Sequence, residues 1–271
     1  MNIGIFDSGV GGLTVLKKIV ELMPEYEYVY LADTARAPYG DRSQERVIEF
    51  TRQGVSYLMT EKKCALVILA CNTASAYALR TLQQEWLPAH FPDRRILGII
   101  IPTAEYIAEK KAAAPIAIIG TRGTVASKVY EKEIEKRVSP LPRLLTQPCP
   151  MLVPLIEEGW HTSTPARMIV KKYLRPLKDK QIKTLVLGCT HYPLMAPMIK
   201  QVMGNNVRII DPGSAVAHSL KTYLERHVQI EKKLSKKTRI HWLSTDVSDR
   251  TRAVFSRFWK TPQEIKRISL E

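Results

Sequence analysis

Val67-Ile68-Leu69-Ala70-Cys71-Asn72-Thr73 and Leu185-Val186-Leu187-Gly188-Cys189-Thr190-His191 are two versions of one pattern, set 118 residues apart. Each is an apolar run, a small residue, a cysteine, and then hydroxyl or amide residues suited to opening a helix. A run of this length bounded by a helix-start signal reads as a strand buried on both faces. Ile3-Gly4-Ile5-Phe6-Asp7-Ser8-Gly9 has a looser echo in Ile116-Ala117-Ile118-Ile119-Gly120-Thr121-Arg122, offset by 113. Near-equal offsets predict two α/β halves of similar build, each presenting one thiol from a matching strand end.

The rest of the chain extends the pattern. Tyr28 to Ala32, Ile96 to Ile101 and Val207 to Ile210 read as further buried strands. Between them lie amphipathic stretches: Leu13, Leu16, Ile19 and Met23 share one helix face, and Val47, Phe50, Gly54 and Leu58 share another. Asp41 followed by Gln44 reads as a capping box opening the second of these helices. Strand and helix in alternation predict βαβ units and mostly parallel sheets flanked by helices, whose ligand sites lie at the carboxyl ends of the strands. The Pro-rich stretch Pro140 to Pro154 reads as turns within the second half rather than as a linker. This patterning assigns the segment beyond about residue 212 to neither half.

Composition narrows the class. A chain of 271 residues suits two small cores, and 45% hydrophobic with 25% charged residues is globular rather than disordered. The longest apolar runs, such as Ala65 to Cys71, fall far short of the roughly 20 residues that cross a bilayer. The start, Met1-Asn2-Ile3-Gly4-Ile5-Phe6, carries neither a basic leader nor a cleavable apolar core, which points to the cytoplasm and away from secretion or a membrane. Lys and Arg number 41 against 26 Asp and Glu, a net charge of +15. That excess suggests an anionic partner, and a basic DNA- or topoisomerase-binding protein is the reading of a different class. Its placement weakens this reading. Lys171 to Lys183 and Lys221 to Arg239 look like solvated helix faces and loops, with few aromatics to stack on bases. No zinc-finger or RNA-binding signature is present, so a specific nucleic-acid partner is not expected.

The four cysteines, Cys64, Cys71, Cys149 and Cys189, contain no Cys-x-x-Cys, which removes zinc-ribbon and thioredoxin readings. In a reducing cytosol they are free thiols. Cys64 and Cys149 read as small buried hydrophobes. Cys71 and Cys189 stand where helix N–H groups favour thiolate, lowering the pKa from about 8.5. Two such thiols on opposite sides of one carbon can take a proton from one face and return another to the other, inverting that carbon. A dehydrogenase reading rests on Gly9-x-Gly11 after a strand and on Asp33 at the end of the next, but its third glycine would fall at Thr14. A cysteine hydrolase built on Cys189 and His191 would leave Cys71 idle.

Four segments carry a resemblance. Asp7-Ser8-Gly9-Val10-Gly11-Gly12-Leu13-Thr14, Asp33-Thr34-Ala35-Arg36-Ala37-Pro38-Tyr39-Gly40, Ala70-Cys71-Asn72-Thr73-Ala74 and Gly188-Cys189-Thr190-His191-Tyr192-Pro193 resemble the glutamate racemases of the cofactor-independent Asp/Glu racemase superfamily. The match runs in order from residue 3 to about residue 218. It implies interconversion of L- and D-glutamate by two-base proton transfer, without pyridoxal phosphate or metal, in a cleft between two similar α/β domains. Those domains would be residues 1–97 plus 212–271, carrying Cys71, and 98–211, carrying Cys189. Cys71 and Cys189 would be the acid/base pair, Cys71 acting on the D-enantiomer and Cys189 on the L-enantiomer. Asp7-Ser8, Tyr39-Gly40, Asn72-Thr73 and Thr190-His191 match substrate-contacting positions. Asp7 would pair with the ammonium or assist Cys71, unless it is only a turn or cap aspartate. His191 would hold or relay the proton of Cys189. Glu157 matches an acidic position near the second thiol, with Glu158 as the adjacent candidate. Aspartate racemase is the near alternative, although the Pro38-Tyr39-Gly40 and Thr190 to Pro193 motifs favour glutamate. The resemblance further implies a role in supplying D-glutamate for peptidoglycan, and leaves a homodimer open.

Overall fold

The computed structural model describes residues 1–261 and 263–270. Among the described residues ten strands form two sheets, parallel throughout. β1 (Asn2–Asp7), β2 (Glu27–Ala32), β3 (Cys64–Leu69), β4 (Arg95–Gly98), β9 (Arg239–Ser244) and β10 (Ile265–Arg267) make the larger one, in the order β10-β9-β2-β1-β3-β4. β5 (Ile116–Gly120), β6 (Leu144–Pro148), β7 (Thr184–Gly188) and β8 (Arg208–Ile210) make the smaller, in the order β6-β5-β7-β8. The order β2-β1-β3-β4 thus recurs as β6-β5-β7-β8, with β1 equivalent to β5 and β3 to β7. This is the α/β fold of two similar halves that the internal echo predicts.

The central strands β1, β3, β5 and β7 are buried almost end to end, as parallel strands covered by helices on both faces must be. The helix Leu13–Leu22 turns Leu13, Val15, Leu16 and Ile19 inward. The helix Pro212–Arg226 packs against it and also against the helix Ile100–Glu109, which follows β4. One apolar core therefore runs from Ile3 and Ile5 of the larger sheet to Ala117 and Leu185 of the smaller.

Three local expectations are corrected. The strand read over Ile96 to Ile101 ends at Gly98, and Ile100 already begins a helix. The helix Gln44–Thr60 is capped by Ser43, whose hydroxyl accepts from Arg46 N, so Asp41 and Gln44 form no capping box. Asp41 instead pairs with Arg122 at 2.8 Å. The stretch read as turns over Pro140 to Pro154 holds β6 and the start of the helix Leu152–Glu157. β6 is a half-buried edge strand ending in Pro148, a place where the missing N–H of proline costs no ladder bond. The basic runs are solvated faces as read: on the helix Thr164–Asp179, Val170, Leu174 and Leu177 point inward while Lys171, Lys172 and Arg175 are exposed. Among the described residues, no helix is long and apolar enough to cross a membrane.

Candidate active site

The site grows out of four strand ends. β1 delivers Asp7 and Ser8, β3 delivers Cys71, β5 delivers Thr121, and β7 delivers Cys189 with Thr190 and His191. Cys71 and Cys189 line one narrow cavity of about 40 Å³, together with Ser8, Tyr39, Gly40, Asn72, Thr73, Glu157, Thr190 and His191. It adjoins a wider opening of about 430 Å³ that shares Gly9, Pro38, Thr121 and Glu157 and reaches out to Asp246 and Arg250. Of the residues expected at the site, only Asp7 does not line the cavity.

Asp7 lies fully buried just beneath it. Its Oδ1 accepts from Gly9 N at 3.1 Å and stands 3.2 Å from Ser8 Oγ, and its Oδ2 accepts from Thr190 Oγ1 at 3.3 Å. Burial raises the Asp7 carboxyl above its ordinary range, against the opposing charge of His191 and these hydrogen bonds. Ser8 Oγ is also 3.4 Å from Cys71 Sγ, so one hydroxyl links the acid to the first thiol.

Cys71 caps the helix Asn72–Tyr77, its sulfur accepting from Ala74 N at 3.5 Å. The expectation that this position lowers its pKa is overturned. Burial, reinforced by the negative charge of Asp7, pushes the thiol up to about 12, and the donors Ser8 and Ala74 only partly offset this. A six-residue helix offers one turn of N–H groups, and desolvation of a buried thiolate exceeds what they return.

The second thiol has different company. Cys189 Sγ stands 4.0 Å from His191 Nδ1, and His191 Nε2 is 3.0 Å from Glu157 Oε1. Burial alone would favour the neutral imidazole, but the hydrogen bonds and charges of Cys189 and Glu157 outweigh it and push His191 up to about 10. Glu157 is correspondingly held below the ordinary range despite its own burial, by His191 first and then by Arg250 and Arg257. Glu158 points to the surface and pairs with Arg250 at 2.6 Å. The choice between adjacent glutamates, open in the sequence, falls geometrically on Glu157 as the one that touches His191.

The glycine-rich turn after β1 serves the approach of the two halves. A Cβ on Gly11 would lie 2.4 Å from His191 Nδ1 and from Thr190 Oγ1, so only glycine fits there. Thr14 Oγ1 crosses the same contact to Thr190 O at 3.0 Å. The dehydrogenase reading fails on this geometry. Asp33 is fully buried and accepts from Arg36, Tyr39 and Thr245, which ties down the loop before Gly40 and leaves nothing to hold a ribose. Tyr39, which borders the cavity, accordingly donates its hydroxyl to Asp33. Cys64 and Cys149 are buried free thiols outside the cavity lining. Among the described residues, no group of three or more His, Cys, Asp or Glu side chains is arranged to hold a metal ion.

Residues 3–220 match the family model described as Asp/Glu/Hydantoin racemase. The chain belongs to this racemase family. A glutamate racemase of Geobacter metallireducens is 40% identical over 245 residues, covering 90% of this chain and 87% of that one. One from a Thermoanaerobacter species is 45% identical over 222 residues, covering 82% and 80%. The crystal structure of the Francisella tularensis glutamate racemase in complex with D-glutamate superposes with a TM-score of 0.87 at 30% identity, covering 100% of this chain and 98% of that one. This racemase is therefore an isomerase built on the two-sheet fold of those structures.

Sequence reasoning passed over Thr121 and Val153, which also line the cavity. Thr121 had a signal. It stands at the end of β5 where Ser8 follows β1, separated by the same offset of 113 as the echoing strands. It meets Thr73 Oγ1 at 2.9 Å across the cleft.

Proposed function

We propose that this racemase interconverts L- and D-glutamate by direct proton transfer at Cα, with Cys71 and Cys189 as the two bases. The observation that carries the reading is that both thiols border one narrow cavity, each 6% exposed, with hydroxyl and amide donors between them. With L-glutamate bound, the Cys189 thiolate takes the α-proton, and the electron pair of the C–H bond moves into the adjacent carboxylate. The Cys71 thiol then delivers its proton to the opposite face, leaving Cys71 as thiolate and Cys189 as thiol. D-glutamate runs the same path backwards from the Cys71 thiolate and Cys189 thiol, so the roles of the two sulfurs exchange with the direction of reaction. The starting protonation state must be restored before another molecule of the same enantiomer is turned over.

Residues around the thiols supply the stabilisation that a weak carbon acid requires. Donors from Ser8, Asn72, Thr73 and Thr190 hold the carboxylates, and the backbone at Tyr39-Gly40 closes the near wall. The charged His191 compensates the thiolate form of Cys189, with Glu157 fixing the imidazolium. Asp7 acts through Ser8 on Cys71. The domains carrying these groups are residues 1–97 plus 212–271, of which 262 and 271 lie outside the described residues, and 98–211. The same reading assigns the protein to the cytoplasm, where its thiols stay reduced, and to the supply of D-glutamate for peptidoglycan.

Turnover of L-glutamate in deuterium oxide tests this. The expected product is D-glutamate carrying one deuterium at Cα, formed without added cofactor, while L-aspartate is left unchanged. D-glutamate that retains the original α-proton would overturn the two-base path, and turnover of aspartate in preference to glutamate would overturn the substrate.

A further inference from the structure

Asn72 and Tyr130 meet inside the protein although they belong to different sheets' helices. Asn72 opens the helix after Cys71 and lines the cavity, and it is only 3% exposed. Tyr130 lies on the helix Val129–Glu135 of the half that carries Cys189 and is 1% exposed. The Tyr130 hydroxyl donates to Asn72 Oδ1 at 2.7 Å. Asn72 Nδ2, on the other side of the same amide, is buried and has no hydrogen-bond partner among the described residues.

A buried amide N–H pair left unpaired destabilises the fold, so such a group is retained where it will be used. Which end of the amide is left unpaired is set by the tyrosine. Burial raises the Tyr130 hydroxyl above its ordinary range, so it keeps its proton and must place it on an acceptor. Asn72 Oδ1 is that acceptor, and the opposite orientation would set a carbonyl oxygen against an incoming carboxylate. The ring of Tyr130 is itself held by the strand end that bears the second thiol. A Cβ on Gly188 would stand 3.3 Å from Tyr130 Cε2 and 2.8 Å from Ile119 O, so glycine before Cys189 makes the room.

We propose that Tyr130 is a positioning residue for substrate binding. Its hydroxyl, by engaging Asn72 Oδ1, turns the amide so that Nδ2 is presented to a carboxylate oxygen of the amino-acid substrate. The inference rests on the racemase reading above and adds a residue contributed by the opposite half.

The test is Tyr130→Phe, alone and combined with Asn72→Ala, assayed with both glutamate enantiomers. Because the enantiomers have equal free energy, kcat/KM must fall by one factor in both directions. Tyr130→Phe is expected to raise KM about tenfold, the worth of one oriented hydrogen bond to a charged group. Its kcat should change by less than about threefold, with the pH profile unmoved. In the Asn72→Ala background, adding Tyr130→Phe should change kcat/KM by less than about twofold. Equal losses in both backgrounds, or an unaltered KM, would overturn the proposal. If Tyr130→Phe does not melt cooperatively, Asn72→Asp reads the same point. It keeps the acceptor for Tyr130 but turns a second oxygen toward the substrate, so KM should rise about a hundredfold or more, and an unchanged KM would overturn the proposal. A wild-type chain inactive on glutamate fails the functional reading itself and the inference with it, whereas an active wild type with an unaffected Tyr130→Phe fails the inference alone.

Discussion

The two halves set a cysteine at the same point of the same topology and surround it with opposite charge. Cys71, after β3, faces the buried carboxylate of Asp7 through Ser8. Cys189, after β7, faces a histidine pushed up to about 10 and backed by Glu157. Behind Cys71 a helix begins at once, while behind Cys189 the chain turns through Tyr192–Met195 in a tighter 3₁₀ geometry that brings His191 back beside the sulfur. A duplicated scaffold thus yields an unsymmetrical pair. The carboxylate resists ionisation of the first thiol, and the imidazolium compensates charge at the second.

The largest break in this comparison is removal of either sulfur. Cys71→Ala and Cys189→Ala should each lower racemisation of glutamate by about a thousandfold or more, since each deletes one of two obligatory proton carriers. A glutamate analogue with a leaving group on Cβ needs only one base, because elimination follows loss of the α-proton. Each alanine variant should therefore still eliminate from one enantiomer and not from the other. Racemisation at wild-type rate in either variant would end the two-base assignment.

Subtler substitutions sharpen the asymmetry. Steady-state kcat/KM cannot reveal it, because equal energies of the enantiomers force equal changes in both directions. Elimination from each enantiomer of the analogue can. Asp7→Asn should slow the enantiomer served by Cys71, and His191→Asn the one served by Cys189, each by about 10- to 100-fold and with little effect on the other. Equal slowing of both enantiomers by one substitution would show that the two thiols share a single proton network, which the contact of Thr190 with Asp7 makes a concrete alternative.

Much of this was legible from sequence because central parallel strands are buried on both faces, and burial is written as unbroken apolar runs. The strands that escaped, β6, β9 and β10, are edge or near-edge strands whose residues are mixed in polarity, as in Arg239-Ile240-His241-Trp242. β6 had an indirect signal, for Leu144 lies 117 residues after Glu27, close to the offsets of the echoing strands. The thiol pair was legible for the same reason the strands were, since each cysteine is fixed to a strand end. The pKa of Cys71 was not, because a local motif shows the helix N-terminus but not the depth of burial. Tyr130 was invisible because its partner lies 58 residues away in another half. Glu157 and Glu158 could not be separated because neighbouring residues on a helix point about 100° apart, and only the packed structure says which direction faces His191.

That pair of glutamates gives the finest test of the second thiol's surroundings. Glu158 pairs with Arg250 at the exposed surface, where a salt bridge is worth about 0–1 kcal/mol. Glu158→Gln should leave kcat/KM within about twofold and the melting temperature nearly unchanged. Glu157 instead holds the buried His191, whose native pKa of about 10 lies above its unfolded value near 6.5. A group raised in this way contributes stability that is fully present below about pH 6.5 and is lost as pH rises through about 10. Near pH 8.5 the unfolded-state ionisation of the buried, upshifted Cys64, Cys71 and Cys149 would each add a loss of its own. Between about pH 6.5 and 8, below that ionisation, the fall in melting temperature therefore reports His191. In Glu157→Gln the imidazolium loses a charged partner and its pKa drops, so that fall should flatten and the alkaline limb of activity should move to lower pH. A Glu157→Gln variant with the wild-type slope, or a Glu158→Gln variant with a larger effect, would mean that the charge beside Cys189 is not held as the geometry indicates. The contrast between the two thiols would then rest on Asp7 alone.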